Sequence, residues 1–158
     1  MVGKLRKSVS GLTPLKRFVY LISPEKINQN FYNSLDKVLS YGNVEFFQLR
    51  LKKIRKNSIL KIAIKIKKIT HKHKVKFIVN DDYILALKVK TDGCHLGQLD
   101  GSIKVARNKL KKKILGVTCH GSKTLAKNAL KNKADYLAFG SFFKSKLKPY
   151  AKKTNFSI

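Results

Sequence analysis

Strand-like and helix-like segments alternate along this chain, and this alternation limits the fold more than any other feature of the sequence. Short apolar runs predict six strands, at residues 16–23, 44–51, 77–79, 94–96, 113–118 and 136–139. Between them, apolar residues recur every three or four positions, which predicts helices over residues 27–42, 58–71, 83–87, 102–109 and 122–130. Such a pattern is typical of an α/β fold with a parallel sheet.

The polar residues help to choose between two parallel architectures, an open doubly wound sheet and a (β/α)8 barrel. No glycine-rich phosphate fingerprint follows the first predicted strand, which argues against a dinucleotide-binding sheet. Polar residues instead collect at the ends of the second to the sixth predicted strands, which is typical of a barrel. We therefore expect a TIM-barrel-type domain at residues 16–158 with about six of the eight βα units, preceded by a basic extension at residues 1–15.

The chain is strongly basic, with a formal net charge of +28 and only 8 acidic residues among 158. Of its 36 basic residues, 31 are Lys and five are Arg, dispersed along the chain. Because Arg is favoured for bidentate phosphate and base recognition, this distribution argues against nucleic-acid binding as the main function. No apolar run approaches the length of about 20 residues that crosses a bilayer. Cys94 and Cys119 lie in apolar segments, as buried thiols of a cytoplasmic protein do.

Residues 77–100 carry the clearest indication of a functional site. Asp81 follows the third predicted strand and Asp100 follows the fourth. Because the C-terminal ends of parallel strands meet at one face, the two carboxylates can converge on one cation. The alternative is that Asp81 or Asp82 caps the following helix and that Asp100 caps the helix beginning near Ser102.

The second predicted strand ends in an alternating segment, Gln48-Leu49-Arg50-Leu51-Lys52. Strand geometry would place its three polar side chains on one side and its two leucines on the other. The alternative is that Arg50 and Lys52 are ordinary solvated charges.

The histidines indicate little chemistry by themselves. His95 lies in a core-like strand, which favours a packed side chain over a ligand. His71 and His73 lie at a predicted helix end, where polar or cationic residues suit the helix dipole.

Five motifs, taken together, resemble the thiamine phosphate synthase family. They are QLRLK at residues 48–52, VNDD at 79–82, GCHLGQLD at 93–100, LGVTCH at 115–120 and ADY at 134–136. The resemblance extends from about residue 16 to residue 148. Members of that family are barrels that join a pyrimidine diphosphate to a thiazole phosphate, releasing pyrophosphate and forming thiamine phosphate. The resemblance therefore implies a Mg²⁺-dependent transferase of thiamine biosynthesis.

The resemblance also implies roles for individual residues. Asp81 and Asp100 are expected to hold Mg²⁺. The residues expected to bind the pyrimidine diphosphate are Gln48, Arg50, Lys52, Asn80, Thr118 and Lys148, and Ser145 is expected to bind the thiazole phosphate. These residue types suit the reaction, because a departing diphosphate accumulates negative charge that Mg²⁺ and basic side chains stabilise. No covalent protein nucleophile is expected, because the thiazole nitrogen attacks directly.

The sequence departs from the family pattern in two respects. The family usually has Thr-x-Thr-Lys after strand six, whereas this chain has Ser145-Lys146-Leu147-Lys148 and so lacks one hydroxyl. The six predicted units also fall short of eight, and the loops after strands seven and eight usually grip a substrate phosphate. We expect a fragment of a longer gene product. The alternatives are a homo-oligomer whose copies complete each other, and a degenerate paralogue that keeps only the diphosphate half of the site.

Two other functions stay open from the sequence. One is a thiazole tautomerase-like isomerase without a metal, since those relatives use a histidine near the position of His120 for proton transfer. The set of Gln48, Arg50 and Lys52, together with Asp81 and Asp100, argues against it. The other is an inactive, truncated basic binding module.

Overall fold

The computed structural model describes residues 2–3, 18–52, 54–143 and 154. Its elements, in chain order, are β1 (Val2–Gly3), β2 (Val19–Ile22), α1 (Gln29–Ser40), β3 (Val44–Leu49), α2 (Lys56–Lys72), β4 (Lys76–Asn80), α3 (Tyr83–Val89), β5 (Gly93–Leu96), α4 (Ile103–Leu110), β6 (Ile114–His120), α5 (Lys123–Lys131) and β7 (Tyr136–Phe139). The six strands and five helices predicted from the sequence are all present. Within the described ranges, no helix is both long and apolar enough to cross a membrane.

The strands form one sheet in the order β1-β7-β6-β5-β4-β3-β2. From β2 to β7, each strand pairs in parallel with the next one in the sequence. A helix connects each parallel pair, as a parallel connection requires a crossover. The short strand β1 pairs antiparallel with β7, with Val2 opposite Ala138 and Gly3 opposite Leu137. Nothing in the sequence pattern predicts this pairing.

One face of the sheet packs against the helices and forms the main hydrophobic core. Because side chains alternate along a strand, every second strand residue points to this face. The strand residues of this core are Phe47, Leu49, Phe77, Val79, Cys94, Leu96, Leu115, Val117, Cys119 and Leu137, and helix residues such as Leu35, Ile66, Ala86, Leu110 and Ala129 pack against them. Both cysteines are free and buried, as the sequence indicates. Burial raises the pKa of both thiols, so neither is an activated nucleophile.

The other face of the sheet is concave. The hydroxyl oxygens of Tyr20 and Tyr136 lie 2.6 Å apart, although β2 and β7 are the outermost of the six parallel strands. In a flat sheet these strands would be about 24 Å apart, from five spacings of about 4.8 Å. The rings of Phe46 and His95 also lie close to the Tyr136 ring, with centroid distances of 6.5 and 5.5 Å. The sheet therefore curls into a half-barrel, which confirms the barrel-type α/β fold with six parallel strands.

Two aspartates fix the register at the opposite, N-terminal edge of the sheet. The backbone N–H of Asp92 donates to the Phe77 carbonyl (3.0 Å), and its carboxylate accepts from the Phe77 N–H (2.9 Å). Asp135 makes the same two bonds with Leu115, at 2.8 and 2.7 Å. Asp135 also pairs with Arg107 at 2.5 Å. These two acidic residues therefore stabilise the N-terminal edge of the sheet. They do not lie at the C-terminal strand ends, where a functional site is expected.

Gly116 in β6 allows the Tyr136 ring to lie directly against the strand, because a Cβ at this position would overlap that ring. We expect Gly116→Ala to lower the free energy of unfolding by about 1–3 kcal/mol, since overpacking displaces the ring. Urea unfolding measures this loss. In a Tyr136→Ala background the same substitution should cost much less, because the ring is gone. An equal cost in both backgrounds would contradict the close packing.

Candidate active site at the C-terminal edge of the sheet

Gln48 and Asn80 meet at the C-terminal ends of two neighbouring strands. Gln48 lies near the end of β3 and pairs in register with Ile78, while Asn80 is the last residue of β4. The Gln48 side-chain amide donates a hydrogen bond to the Asn80 Oδ1 atom. Gln48 is only 4% exposed. A buried amide held in this way presents a fixed pattern of donors and acceptors at the strand ends.

Arg50 and Lys52 follow β3 in a loop. The strand ends at Leu49, so the alternation predicted through residue 52 stops earlier than expected. The reason lies in Ser23, which follows β2. Its hydroxyl oxygen accepts from the Arg50 N–H (2.9 Å) and the hydroxyl lies 3.4 Å from the Arg50 carbonyl oxygen. This side chain replaces a strand partner and fixes where the loop begins, a role that the sequence does not reveal.

Asp81 and Asp100 lie side by side, although 19 positions separate them in the sequence. The Asp100 carboxyl is close enough to Asp81 to affect its pKa directly, and the Lys52 Nζ atom is 3.8 Å from Asp81 Oδ2. Burial, and then the adjacent Asp100 carboxyl, raise the pKa of Asp81 to about 6, while Lys52 and Arg50 act in the opposite direction. The structure therefore brings together the two acidic and two basic residues singled out at these strand ends.

The backbone explains how Asp81 reaches this place. Its φ angle is 66°, in the left-handed region that Asp and Asn occupy more readily than most residues. Its N–H donates to the His95 carbonyl at 2.7 Å, which ties the end of β4 to β5. The helix cap is the next residue, Asp82, whose Oδ1 accepts from the Leu85 N–H at 2.8 Å. Of the two residues considered as the cap, Asp82 therefore caps α3. The Asp81 carboxylate is not used as a cap and is available to the site.

Asp100 is held by a tight turn after β5. Its Oδ2 atom accepts from the Gly97 N–H at 2.7 Å, and a Cβ on Gly97 would come within 2.8 Å of that oxygen. In the same loop the Gln98 side-chain amide donates to the Thr118 carbonyl of β6. The cap of α4 is Ser102, which accepts from the Val105 N–H at 3.4 Å. The alternative that Asp100 caps this helix is therefore wrong.

The remaining acidic residues have other positions. Asp36 in α1 pairs with Lys72 and His73 at 3.0 and 2.7 Å, and the hydrogen bond from His73 is the main reason that the pKa of Asp36 is lowered. This pairing agrees with a polar helix end for His73. Asp82 caps a helix, Asp92 and Asp135 fix strand register, and Glu25 and Glu45 are exposed. Asp81 and Asp100 are then the two acidic residues that share one place at the strand ends.

His95 connects the strand ends to the concave interior. Its Nε2 atom lies 2.8 Å from Thr118 Oγ1, and its Nδ1 atom lies 3.0 Å from the Tyr136 hydroxyl. The residue is 7% exposed, which confirms a packed histidine. Sequence reasoning missed Tyr20 and Tyr136 as part of this network. The available signal is that a buried tyrosine in a strand needs a partner for its hydroxyl.

Two residues with expected roles, Ser145 and Lys148, lie outside the described residues. His120, the histidine of the isomerase alternative, is exposed at the end of β6, with a φ angle of 49°.

A cation between Asp81 and Asp100 would find only oxygen ligands, which suits Mg²⁺. Within the described ranges, no group of three His, Cys, Asp or Glu side chains forms a complete metal site. Mg²⁺ does not need one, because it is usually bound through one or two carboxylates together with substrate phosphates and water. The raised pKa of Asp81 indicates that the pair resists holding two negative charges, a cost that a divalent cation would remove.

Proteins of one known family are similar to this chain. A family model described as thiamine monophosphate synthase matches residues 19–157. A thiamine-phosphate synthase of Pelagibacter ubique is 58% identical over 134 residues, covering 84% of this chain and 65% of that protein. A thiamine-phosphate synthase of Erythrobacter litoralis is 42% identical over 139 residues, covering 86% of this chain and 65% of that protein. The chain thus spans a little less than two thirds of the length of these relatives.

A solved structure gives the same result. Thiamine phosphate pyrophosphorylase from Pyrococcus furiosus superimposes with a TM-score of 0.72 at 30% sequence identity, covering 81% of this chain and 62% of that one. The family model, the relatives and the solved structure therefore agree, and the chain belongs to the thiamine monophosphate synthase family.

Proposed function

We propose that this chain carries the pyrimidine diphosphate side of a thiamine phosphate synthase active site. The reaction joins a pyrimidine diphosphate to a thiazole phosphate and releases pyrophosphate. The observation that carries this proposal is the convergence of Asp81, Asp100, Arg50 and Lys52 at one edge of the sheet. Paired carboxylates beside basic side chains suit a double phosphate that arrives with a divalent cation. Family membership supports the same reaction.

In this proposal Asp81 and Asp100 hold Mg²⁺. The ion, when bound, supplies positive charge at the oxygens of the leaving diphosphate. The two carboxylates need not be supplemented by a third protein ligand, because phosphate oxygens and water can complete the shell. The two carboxylates lie on separate loops, after β4 and after β5.

Arg50 and Lys52 stabilise the charge that develops as the C–O bond to the diphosphate breaks. A guanidinium can donate two parallel hydrogen bonds to phosphate oxygens, while an ammonium acts as a point charge. Both lie close enough to influence Asp81, so the diphosphate and the cation would occupy adjacent places. We assign Lys148 a similar contact and Ser145 a contact to the thiazole phosphate, following the family pattern.

The hydrogen-bonded pair of Gln48 and Asn80 orients the pyrimidine diphosphate, and the Thr118 hydroxyl contacts the diphosphate. Loss of the diphosphate leaves a carbocation at the pyrimidine methylene, stabilised by the electron-rich ring. The thiazole nitrogen then attacks, so no protein nucleophile takes part. This agrees with the burial and raised pKa of Cys94, which is unsuited to nucleophilic attack. Reduced, buried cysteines also suit a cytoplasmic setting, which we include in the proposal.

Binding of the pyrimidine diphosphate to this chain should require Mg²⁺. We expect titration calorimetry to detect binding in magnesium and not in EDTA. Asp81→Asn and Asp100→Asn should each weaken binding at least about tenfold, because each removes a ligand of the cation. Asp82→Asn is the matched control, since Asn caps a helix as well as Asp does. Equal binding with and without magnesium would contradict the assignment.

A turnover assay separates this function from a metal-independent isomerase. Thiazole phosphate is added to the pyrimidine diphosphate complex, and thiamine phosphate is measured with and without magnesium. Isomerisation of a thiazole substrate in EDTA, with no thiamine phosphate formed in magnesium, would favour the tautomerase-like alternative.

Asp81→Asn is also expected to raise the melting temperature of the metal-free chain above about pH 6. The folded-state pKa of Asp81, about 6, exceeds its ordinary value of 3.8. The folded chain therefore binds this proton more tightly than the unfolded chain, and stability falls as pH rises between these values. The side chain of the variant carries no charge at position 81. Its melting temperature should therefore exceed that of the wild type by the largest amount at about pH 7.5 and by nothing at about pH 4.

Thermal unfolding in EDTA across this pH range, followed by circular dichroism, measures the difference between variant and wild type. A wild type more stable than Asp81→Asn at about pH 7.5 would mean that attraction by Lys52 and Arg50 outweighs the cost of burial and the repulsion by Asp100.

A further inference from the structure

Four side chains form a continuous hydrogen-bonded chain across the concave face. The Tyr20 and Tyr136 hydroxyls are 2.6 Å apart, Tyr136 lies 3.0 Å from His95 Nδ1, and His95 Nε2 lies 2.8 Å from Thr118 Oγ1. This series of hydrogen bonds begins between the two outer strands β2 and β7 and ends at Thr118, near the C-terminal edge of the sheet. Hydroxyls and neutral imidazole both donate and accept, so each link has two orientations. The orientation decides whether Thr118 offers the site a donor or only an acceptor.

The two orientations differ in how they treat the Tyr20 hydroxyl. If Thr118 donates to His95 Nε2, then the protonated His95 Nδ1 donates to the Tyr136 hydroxyl. The Tyr136 hydroxyl in turn donates to Tyr20. The Tyr20 hydrogen then needs its own acceptor, yet among the described residues Tyr136 is the single hydrogen-bonding partner of that hydroxyl. An O–H that lacks an acceptor is costly and rare in a position that is largely shielded from solvent, as this partly buried hydroxyl is. This orientation is therefore disfavoured.

In the opposite orientation every buried hydrogen has an acceptor. Tyr20 donates to Tyr136, Tyr136 donates to His95 Nδ1, and the protonated Nε2 donates to Thr118. Burial raises the pKa of Tyr20 to about 12 and also raises that of Tyr136, so both hydroxyls remain protonated donors at neutral pH. The Tyr136 ring stacks on the His95 ring, with centroids 5.5 Å apart and an interplanar angle of 29°, which fixes their relative position.

We propose that Tyr136 is a positioning residue that holds His95 in the Nε2-protonated tautomer and thereby leaves the Thr118 hydroxyl free to donate to an anionic oxygen of the substrate. The identity of that anion, a diphosphate, rests on the proposed function. Thr118 accepts from His95, and within the described residues its own hydroxyl hydrogen has no acceptor. Diphosphate oxygens only accept hydrogen bonds, so this donor matches them. Tyr136 acts through His95 and does not itself contact the substrate.

The tautomer of His95 is tested by nuclear magnetic resonance of the chain labelled with ¹⁵N at histidine. Long-range ¹H–¹⁵N spectra show which ring nitrogen carries the proton, and His95→Gln identifies the signals. We expect Nε2 protonation in the wild type and in Tyr20→Phe, and loss of that preference in Tyr136→Phe. A wild-type ring protonated at Nδ1, or at both nitrogens, overturns the proposal. This readout does not depend on substrate or activity.

The donor role of Thr118 is tested by the affinity for inorganic pyrophosphate in magnesium. We expect Thr118→Val to weaken binding about tenfold, Thr118→Ser to retain it, and Tyr136→Phe to weaken it about three- to tenfold. Tyr20→Phe is the matched control and should change affinity less than about twofold, because Tyr136 can still donate to His95. Combined with Thr118→Val, Tyr136→Phe should weaken binding little further, since both substitutions remove the same hydrogen bond from the Thr118 hydroxyl to pyrophosphate.

Two outcomes of the binding experiment are distinguishable. If the wild type binds magnesium pyrophosphate but Tyr136→Phe does not weaken binding, or weakens it equally with and without the Thr118 hydroxyl, the positioning role is wrong. If the wild type does not bind magnesium pyrophosphate, the proposed function fails and with it the diphosphate contact of Thr118. The imidazole spectrum then still decides whether Tyr136 sets the tautomer.

Discussion

The contact between Tyr20 and Tyr136 across the curled sheet is the constraint on which the rest of the arrangement depends. In a flat parallel sheet the strand ends would lie along a line, and residues after β3 and β6 would be too far apart to share a ligand. Curling brings these ends around one hollow. The curvature is stabilised in the interior by aromatic packing, with Gly116 leaving space for the Tyr136 ring. The charged groups at the strand ends do not drive it, because Asp81 and Asp100 repel each other there.

The same strands supply both the core and the site, because their two faces carry different residues. Toward the helices, the alternating positions of β3 to β6 are apolar and belong to the hydrophobic core. Toward the hollow, the intervening positions include Gln48, Asn80, His95 and Thr118, and hydrogen bonds join Gln48 to Asn80 and His95 to Thr118. A shift of one residue in any strand would exchange the two sets. The apolar face therefore fixes the register that presents the polar face, and stability and site geometry are coupled in each strand.

The elements and the meeting of Asp81 with Asp100 could be predicted, because each follows from a local pattern or from a general rule about parallel strand ends. Three features could not. The left-handed backbone of Asp81, rather than its residue type, separates it from its capping neighbour Asp82. The early end of β3 depends on a hydroxyl from another strand, Ser23. The interior network joins Tyr20 to Tyr136, 116 positions apart, and no periodic pattern encodes a contact at that separation. A local pattern or a general rule about strand ends was therefore sufficient for the predicted features, whereas the others depend on one backbone angle or on a particular contact between different strands.

The raised pKa of Asp81 is informative because it occurs in a chain with a net charge of +28. A uniformly positive protein should favour ionised carboxylates. Burial and the neighbouring Asp100 nevertheless dominate, since most lysines of the described residues are exposed to solvent, where charges are screened over about 8 Å at physiological ionic strength. Two effects of charge therefore act at different ranges. The dispersed lysines create a long-range potential that attracts anions, whereas the carboxylate pair repels them at short range. An anionic substrate would overcome this repulsion by arriving with a cation, which is the behaviour expected of a site for a magnesium-bound diphosphate.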